Sequence, residues 1–310
     1  MKTVDVLYHW GEPPAFGELA MADALADGVA LNAICMGLTT DAAVLETLSK
    51  SKSDAILSVS PAQFGEFHTK NAATIRSFKK PLLSFTSEWC DGNPIRGYDL
   101  FDQSENVFDV RFYGQACDAD NSVLRGRLSF LSSLWVSTTA FSAGPPVAQR
   151  KQKLVFIGDT NEYAKGVYAQ RRRMLDALES NGLVDVLVVE KSIDTVAQVR
   201  NAYAEYAGVF CASSNGKNQG IRVYEAASSG AVVVEAQPMD VRNEFFKNGI
   251  HRIAIDPSLD AEALCEAVSA IDFVSSAEVA ERRQALVMEK YKPSAVFTKM
   301  LATADKALKG

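Results

Sequence analysis

One pattern, run twice, constrains this chain most. A short apolar run is followed by a helical pattern of ten or more residues, then by another apolar run. In the first half "VDVLYHW" reads as a strand and "FGELAMADALADG" as a helix stopped by Gly28. "LNAICMG" and "DAILSVS" are strands around the helix "TTDAAVLETLSKSK", and "FHTKNAATIRSFKK" is a helix leading to the strand "PLLSFTSEW". Strands separated by helices of this length need crossover connections, which give a parallel sheet covered on both faces. Residues 91–135 are less regular, and "VLRGRLSFLSSLWVS" at their end reads as a helix.

The segment 138–152, with Gly144-Pro145-Pro146, reads as a linker, and the same grammar restarts after it. "KLVFIGD", "VDVLVVE", "AGVFCAS", "AVVVEA" and "IHRIAID" are strands; the helices between them include "VYAQRRRMLDALESNG", "SIDTVAQVRNAYAEY", "GIRVYEAASSG" and "MDVRNEFFKNG". "LDAEALCEAVSAI" and "SAEVAERRQALVMEKY" are further helices, and a last one follows the break at Lys292-Pro293. The expected architecture is α/β, with two Rossmann-like parallel domains: residues 1–137 and 153–291, joined by the linker 138–152 and followed by a C-terminal helix at 292–310. Ligand-facing loops belong at the carboxyl ends of the strands, and two such domains facing each other form a cleft.

The chain has 310 residues, 47% hydrophobic and 23% charged, which is enough for two cores. A net charge of −6 argues against a protein held to nucleic acid mainly by phosphate neutralisation. The five cysteines include no CxxC pair and the three histidines show no metal spacing, so reduced thiols in a cytoplasmic compartment are expected. No apolar run approaches the roughly 20 residues of a membrane span. Dinucleotide, Walker A and nucleophile-elbow fingerprints do not occur where those enzymes carry them.

The stretch "NGKNQGIRVYEAASSGAVVVEA", residues 215–236, carries the most chemistry. A loop leaving a buried strand opens a helix, and a helix N-terminus suits an anion such as a diphosphate. Gly216 and Gly220 let backbone approach a ligand closely. Glu225 is a poor phosphate ligand, but a carboxylate can accept from two vicinal hydroxyls, such as those of a ribose. It can equally pair with Arg222.

Residues 153–256 resemble the nucleotide-binding half of GT-B glycosyltransferases. They are most similar to the CgeB-like branch of the group-1 enzymes. The resemblance is carried by "FIGD" at 156–159, Arg171 with Leu175 and Leu178, "GIRVYEAASSGAVVV" at 220–234 and "EFFKNGIHRIAI" at 244–255. It implies a nucleotide-sugar donor, a uridine diphosphate sugar by family habit, with no metal and no other cofactor. Gly158, Lys217, Asn218, Gly220, Ile221 and Arg222 would then face the donor, Glu225 would hold its ribose, and Arg171, or failing it Arg172, its diphosphate. Group-1 enzymes carry a second glutamate where this chain has Lys217, which removes the carboxylate expected near the donor sugar. The break at Pro293 resembles the GT-B helix that returns to the first domain.

In the first half, His9, Glu12, Glu88 and Asp91 follow strand ends and are candidate bases toward an acceptor hydroxyl. Trp89 could stack on a sugar. Asp118-Ala119-Asp120 spells a metal-binding DxD, but outside that motif's usual fold context. The acceptor could be a glycan, a small molecule or a hydroxymethylated phage DNA base. For DNA, Arg76, Lys79, Lys80, Arg125 and Arg127 would supply a local basic groove. A rival reading is a two-lobed nucleotide-sugar or small-ligand binding protein without turnover.

Overall fold

The computed structural model describes all residues except 9–17, 60–65, 87–106, 114–127, 133–134, 159–166, 189–194, 213–219 and 237–248. The chain forms two compact units. Met1–Trp135 and Lys292–Gly310 make the first, and Val136–Tyr291 the second.

In the first unit, β1 (Thr3–Tyr8), β2 (Ala30–Cys35), β3 (Ala55–Val59), β4 (Leu82–Thr86), β5 (Val110–Tyr113) and β6 (Leu128–Leu131) form one sheet in the order β2-β1-β3-β4-β5-β6. Every pairing is parallel. α1 (Glu18–Ala26), α2 (Asp41–Lys50), α3 (Phe67–Lys70) and α4 (Ala72–Ser77) lie among the crossovers. Thr40 caps α2 through its hydroxyl, and Gly28 after α1 takes φ +84, a conformation that favours glycine.

Two expectations fail here, each for a local reason. The helix expected over 67–80 is broken at Asn71, whose side-chain amide donates to the Phe67 carbonyl at 2.9 Å and closes the first piece. The helix expected over 123–137 is replaced at 128–131 by β6, which pairs with β5 from Val110↔Leu128 to Tyr113↔Leu131. A free sheet edge offers a complete row of hydrogen-bond partners, and that tertiary context outweighs a short stretch of helical spacing.

At the amino edge of this sheet, buried Asp5 accepts from Asn32 and Ser51 at 2.9 and 2.8 Å and from Ser53, and pairs with the Lys80 ammonium at 3.3 Å. Lys80 also donates to the carbonyls of Leu48 and Ser51 and is 12% exposed. It is therefore a structural staple and leaves the basic groove suggested for DNA. Burial pushes the Asp5 carboxyl up, but the Ser53, Asn32 and Ser51 hydrogen bonds and the Lys80 charge outweigh it, so the net shift is downward.

The C-terminal helix α10 (Pro293–Lys309) belongs to this first unit. Pro293 starts it, where a missing N–H costs nothing. Lys292 and Ser294 both reach the Asp27 carboxylate just past α1, at 2.7 and 2.6 Å. Phe297 lies against the fully buried Trp135, with ring centroids 5.0 Å apart, and Trp135 in turn against Phe85 at 4.2 Å.

In the second unit, β7 (Lys151–Gly158), β8 (Val184–Val188), β9 (Tyr206–Ala212), β10 (Val232–Ala236) and β11 (Ile253–Ile255) form a parallel sheet ordered β11-β10-β9-β7-β8. α5 (Val167–Ser180) follows β7, α6 (Val196–Glu205) follows β8 and α7 (Ile221–Ser228) follows β9. α8 (Ala261–Ser269) and α9 (Ala277–Leu286) come after β11. Leu154, Phe156, Leu175, Leu178, Phe210, Val232 and Val234 are central to its core.

The segment read as a linker is part of this unit from Val136 onward. Phe141 is buried, and its carbonyl accepts from Ser228 Oγ at 2.6 Å. Gly144 N–H donates to the Ser229 carbonyl. Buried Arg150 donates to the carbonyls of Pro145, Tyr203 and Ser229, at 2.6, 3.0 and 2.8 Å. Glycine and two prolines shape this segment, but one arginine with three carbonyl partners fixes it to the body.

Two stability outcomes follow from the first unit. Asp5→Ala should cost about 3 kcal/mol in urea unfolding, because it strips a buried cation of its counter-charge. The depressed Asp5 pKa contributes stability that is complete above the unfolded carboxyl pKa, about 3.9, and is lost as pH falls through the folded value. The acid limb of the stability profile should therefore flatten in that variant. Among the described residues Thr86 Oγ1 is buried without a hydrogen-bond partner, so Thr86→Val should stabilise the protein by about 1 kcal/mol, read as a raised urea midpoint.

Candidate functional site

The strand order of the second unit reverses between β7 and β9. The chain leaves β7 toward β8 on one side, and from β9 it continues toward β10 on the other. The carboxyl edge at such a reversal is where doubly wound sheets take their ligands. α5 and α7 are the helices that follow those two strands, and the sequence candidates sit on them.

At the end of β7, Gly158 has a steric reason to be glycine. A Cβ there would lie 2.9 Å from Cζ of Phe156, two residues earlier on the same face. The Phe156 ring in turn lies under Arg171, whose guanidinium carbon is 5.8 Å from the ring centroid. Arginine stacks on aromatic faces, so the ring helps to set the direction of the guanidinium. The three consecutive arginines of α5 diverge. Arg171 faces the end of β7. Arg172 pairs with Asp176 at 2.7 Å on the exposed surface, and Arg173 donates to the Pro257 carbonyl at 2.9 Å. Arg172 is thus a surface ion pair and drops out as an alternative to Arg171.

At the end of β9, α7 begins with Gly220 as N-cap, at φ −71 and ψ 164, with no side-chain cap. The first-turn N–H groups therefore have no cap side chain over them. A Cβ on Gly220 would meet no atom of the described residues within 4 Å. The helix ends at Gly230, φ +70, a left-handed position that favours glycine. Ile221 opens the helix, and Arg222 follows in its first turn.

Glu225 is buried, 1% exposed, and is not the open acceptor that the sequence suggests. Its Oε2 accepts from Arg222 Nη1 at 2.7 Å and from Tyr203 Oη at 3.2 Å. Oε1 has no partner among the described residues. Oε2 is thus occupied by two donors, which leaves Oε1 as the oxygen open to a further one. The Glu225 charge beside Arg222 raises the guanidinium pKa, and burial with Glu225 nearby raises that of Tyr203 well above its ordinary value. Tyr203 therefore stays a proton donor throughout the working range.

Further along the sheet, Glu235 on β10 accepts from Arg252 at 2.8 Å and lies 3.8 Å from Arg283, all three buried. Burial also pushes the neighbouring Cys211 thiol up, so it is not a nucleophile. In the first unit, His68 is fully buried 2.8 Å from Ser58 Oγ, and burial lowers its pKa to about 3. It is a neutral core histidine. Among the described residues no group of three or more His, Cys, Asp or Glu could hold a metal ion. No described helix is long and apolar enough to cross a membrane.

His9, Glu12, Glu88, Trp89, Asp91, Asp118, Asp120, Arg125, Arg127, Lys217 and Asn218 lie outside the described residues. Phe156 and Tyr203 were not singled out from the sequence. Phe156 lies inside the quoted "FIGD" block, so a signal was present. Tyr203 reads only as one of the core positions Val199, Ala202 and Tyr203 on α6.

The architecture can now be compared with solved structures. Anabaena HepE, crystallised with UDP and glucose, superposes with a TM-score of 0.68 at 13% identity, over 98% of this chain and 100% of that one. The fold is GT-B. Sucrose-phosphate synthase from Thermosynechococcus elongatus matches with a TM-score of 0.62 at 13% identity, over 100% of both chains. A glycosyltransferase from Rickettsia africae matches at 0.59 and 10% identity, over 99% of both. At these identities the likeness is one of fold. No family model matches the sequence, and no curated protein does. Within the GT-B fold, the edge that carries Gly158, Arg171 and the start of α7 is the carboxyl edge of the second unit's sheet.

The packing at that edge is testable. Gly158→Ala should cost about 1–3 kcal/mol in urea unfolding, the range for overpacking a filled site. The same change in a Phe156→Leu background should cost clearly less, because the ring it meets is gone. Equal costs in both backgrounds would contradict the steric role of Gly158.

Proposed function

We propose that the protein is a glycosyltransferase that moves a sugar from a nucleotide-sugar, foremost a uridine diphosphate sugar, to a hydroxyl acceptor. The observation that carries this reading is the end-to-end fold likeness to HepE, a protein solved with UDP-glucose and with UDP plus glucose. The side chains at the β7 and β9 ends support it, because they supply cations and helix N–H groups suited to a diphosphate. The CgeB-like branch rests on the sequence blocks at 156–159, 171–178, 220–234 and 244–255 alone.

In the proposed reaction the acceptor oxygen bonds to the anomeric carbon as the bond from that carbon to the diphosphate oxygen breaks. The electron pair leaves with the diphosphate. Arg171, oriented by Phe156, and the first-turn N–H groups of α7 meet the charge that develops there, the part a metal ion plays in other transferases. Gly158, Gly220 and Ile221 let the donor approach, and Lys217 and Asn218 precede them in the loop. His9, Glu12, Glu88 and Asp91 remain the proposed bases. In an inverting reaction one of them takes the acceptor proton. With Lys80 committed to Asp5, the basic groove proposed for a DNA acceptor is reduced, so a glycan or small-molecule hydroxyl is the better acceptor class.

The test is nucleotide release by purified protein given uridine, guanosine or adenosine diphosphate sugars, with oligosaccharide, small-alcohol and hydroxymethylated-DNA acceptors. Release is expected with one donor class, and chelator should leave it nearly unchanged. Arg171→Ala should lower kcat by about 10²–10³ with the fold intact. Loss of turnover with chelator, restored by manganese, would bring Asp118 and Asp120 back as metal ligands. Donor binding without release for any acceptor would favour the two-lobed binding protein.

A further inference from the structure

An arginine and a glutamate three residues apart on a helix normally form a solvated surface pair worth a few tenths of a kcal/mol. The Arg222–Glu225 pair is built differently. Glu225 is 1% exposed and Tyr203 fully buried, while the Arg222 side chain is 31% exposed. Both donors converge on the same carboxylate oxygen, Oε2, at 2.7 and 3.2 Å. Tyr203 itself cannot move freely: its carbonyl accepts from Arg150 and its ring lies 6.1 Å from that of Phe141. The result is a graded stack, rigid and buried at the tyrosine and open at the guanidinium.

A carboxylate buried under a helix is an expensive way to hold that helix in place. An apolar residue of similar volume would do so at least as well. What the carboxylate adds is a fixed direction for one cation. Nη1 of Arg222 is anchored, and the remaining guanidinium donors are fixed in orientation by the planarity of the group. The open end belongs to the first turn of the helix that follows β9, one of the two strands at which the sheet order reverses.

Building on the proposed donor site, we propose that Arg222 is a diphosphate-recognition residue, and that Glu225 and Tyr203 are positioning residues that aim its guanidinium rather than ribose ligands. Three consequences distinguish this from a purely structural cluster. Loss of Arg222 should affect diphosphate-bearing ligands and not the bare nucleoside. Loss of the Tyr203 hydroxyl should have the same selectivity at smaller size. A lysine at 222 should restore little, because a point charge cannot be anchored by one face and presented by another.

The experiment is calorimetric titration of the whole protein with UDP, GDP and ADP, and with the nucleoside matching the best of them. The proteins compared are the unaltered chain, Arg222→Ala, Arg222→Lys, Glu225→Gln and Tyr203→Phe. Each is first checked for a cooperative unfolding transition well above the titration temperature. Arg222→Ala should weaken the nucleoside diphosphate by about 10–100-fold, the scale of hydrogen bonds to a charged group, and the nucleoside by less than about twofold. Glu225→Gln and Tyr203→Phe should fall between, about 3–10-fold, with the nucleoside again nearly unchanged. Equal losses for nucleoside and diphosphate in Glu225→Gln would return Glu225 to the ribose and overturn the inference. So would unchanged diphosphate affinity in Arg222→Ala or Tyr203→Phe. If the unaltered protein binds none of the three diphosphates, the donor-site reading itself fails, and this inference fails with it.

Discussion

A parallel sheet must be covered on both faces, and everything functional in this protein follows from that requirement. Parallel neighbours cannot be joined by tight turns, so each strand hands over to a helix and every handover occurs at the same edge. In the second unit the order β11-β10-β9-β7-β8 adds one reversal, between β7 and β9. The side chains with chemistry are at that edge because it is where the chain is not committed to the ladder. Gly158, Arg171, Gly220 and Arg222 differ in type, yet each is placed by its distance from a strand end.

Two arginines of the second unit are oriented in different ways. Arg171 is backed by the face of an aromatic ring, which attracts it but carries no net charge. Arg222 is backed by a full negative charge, shared with a tyrosine hydroxyl. Arg172, between them in neither place, is paired with Asp176 in solvent. Arg171, Arg172 and Arg222 thus differ in what each side chain lies against.

Much of this was legible in the sequence, and what was not has identifiable causes. The strands of the second half and the stop at Gly28 are local signals, and that glycine adopts positive φ. β6 was misread because its pairing with β5 is a relation between distant segments, invisible to periodicity. The linker was misread because composition reports glycine and proline but not the three carbonyls that Arg150 would find. The place of Glu225 on a helix is legible in the sequence and its burial is not. The spacing to Arg222 suggested a pair, but the partner that buries it, Tyr203, lies on a different helix and looks like an ordinary core residue.

The first unit is assembled from two pieces of chain with the whole second unit between them. Trp135 needs Phe297 on one side and Phe85 on the other, and the end of α1 needs Lys292 and Ser294. On a ribosome, α10 emerges only after the second unit has been made. The later unit therefore has all its residues first, and the earlier one waits with the Trp135 surface uncovered. The order in which the units become complete is thus inverted with respect to the order in which they begin. Chaperone demand should then concentrate on the amino-terminal unit, over the interval in which the carboxyl-terminal one is translated.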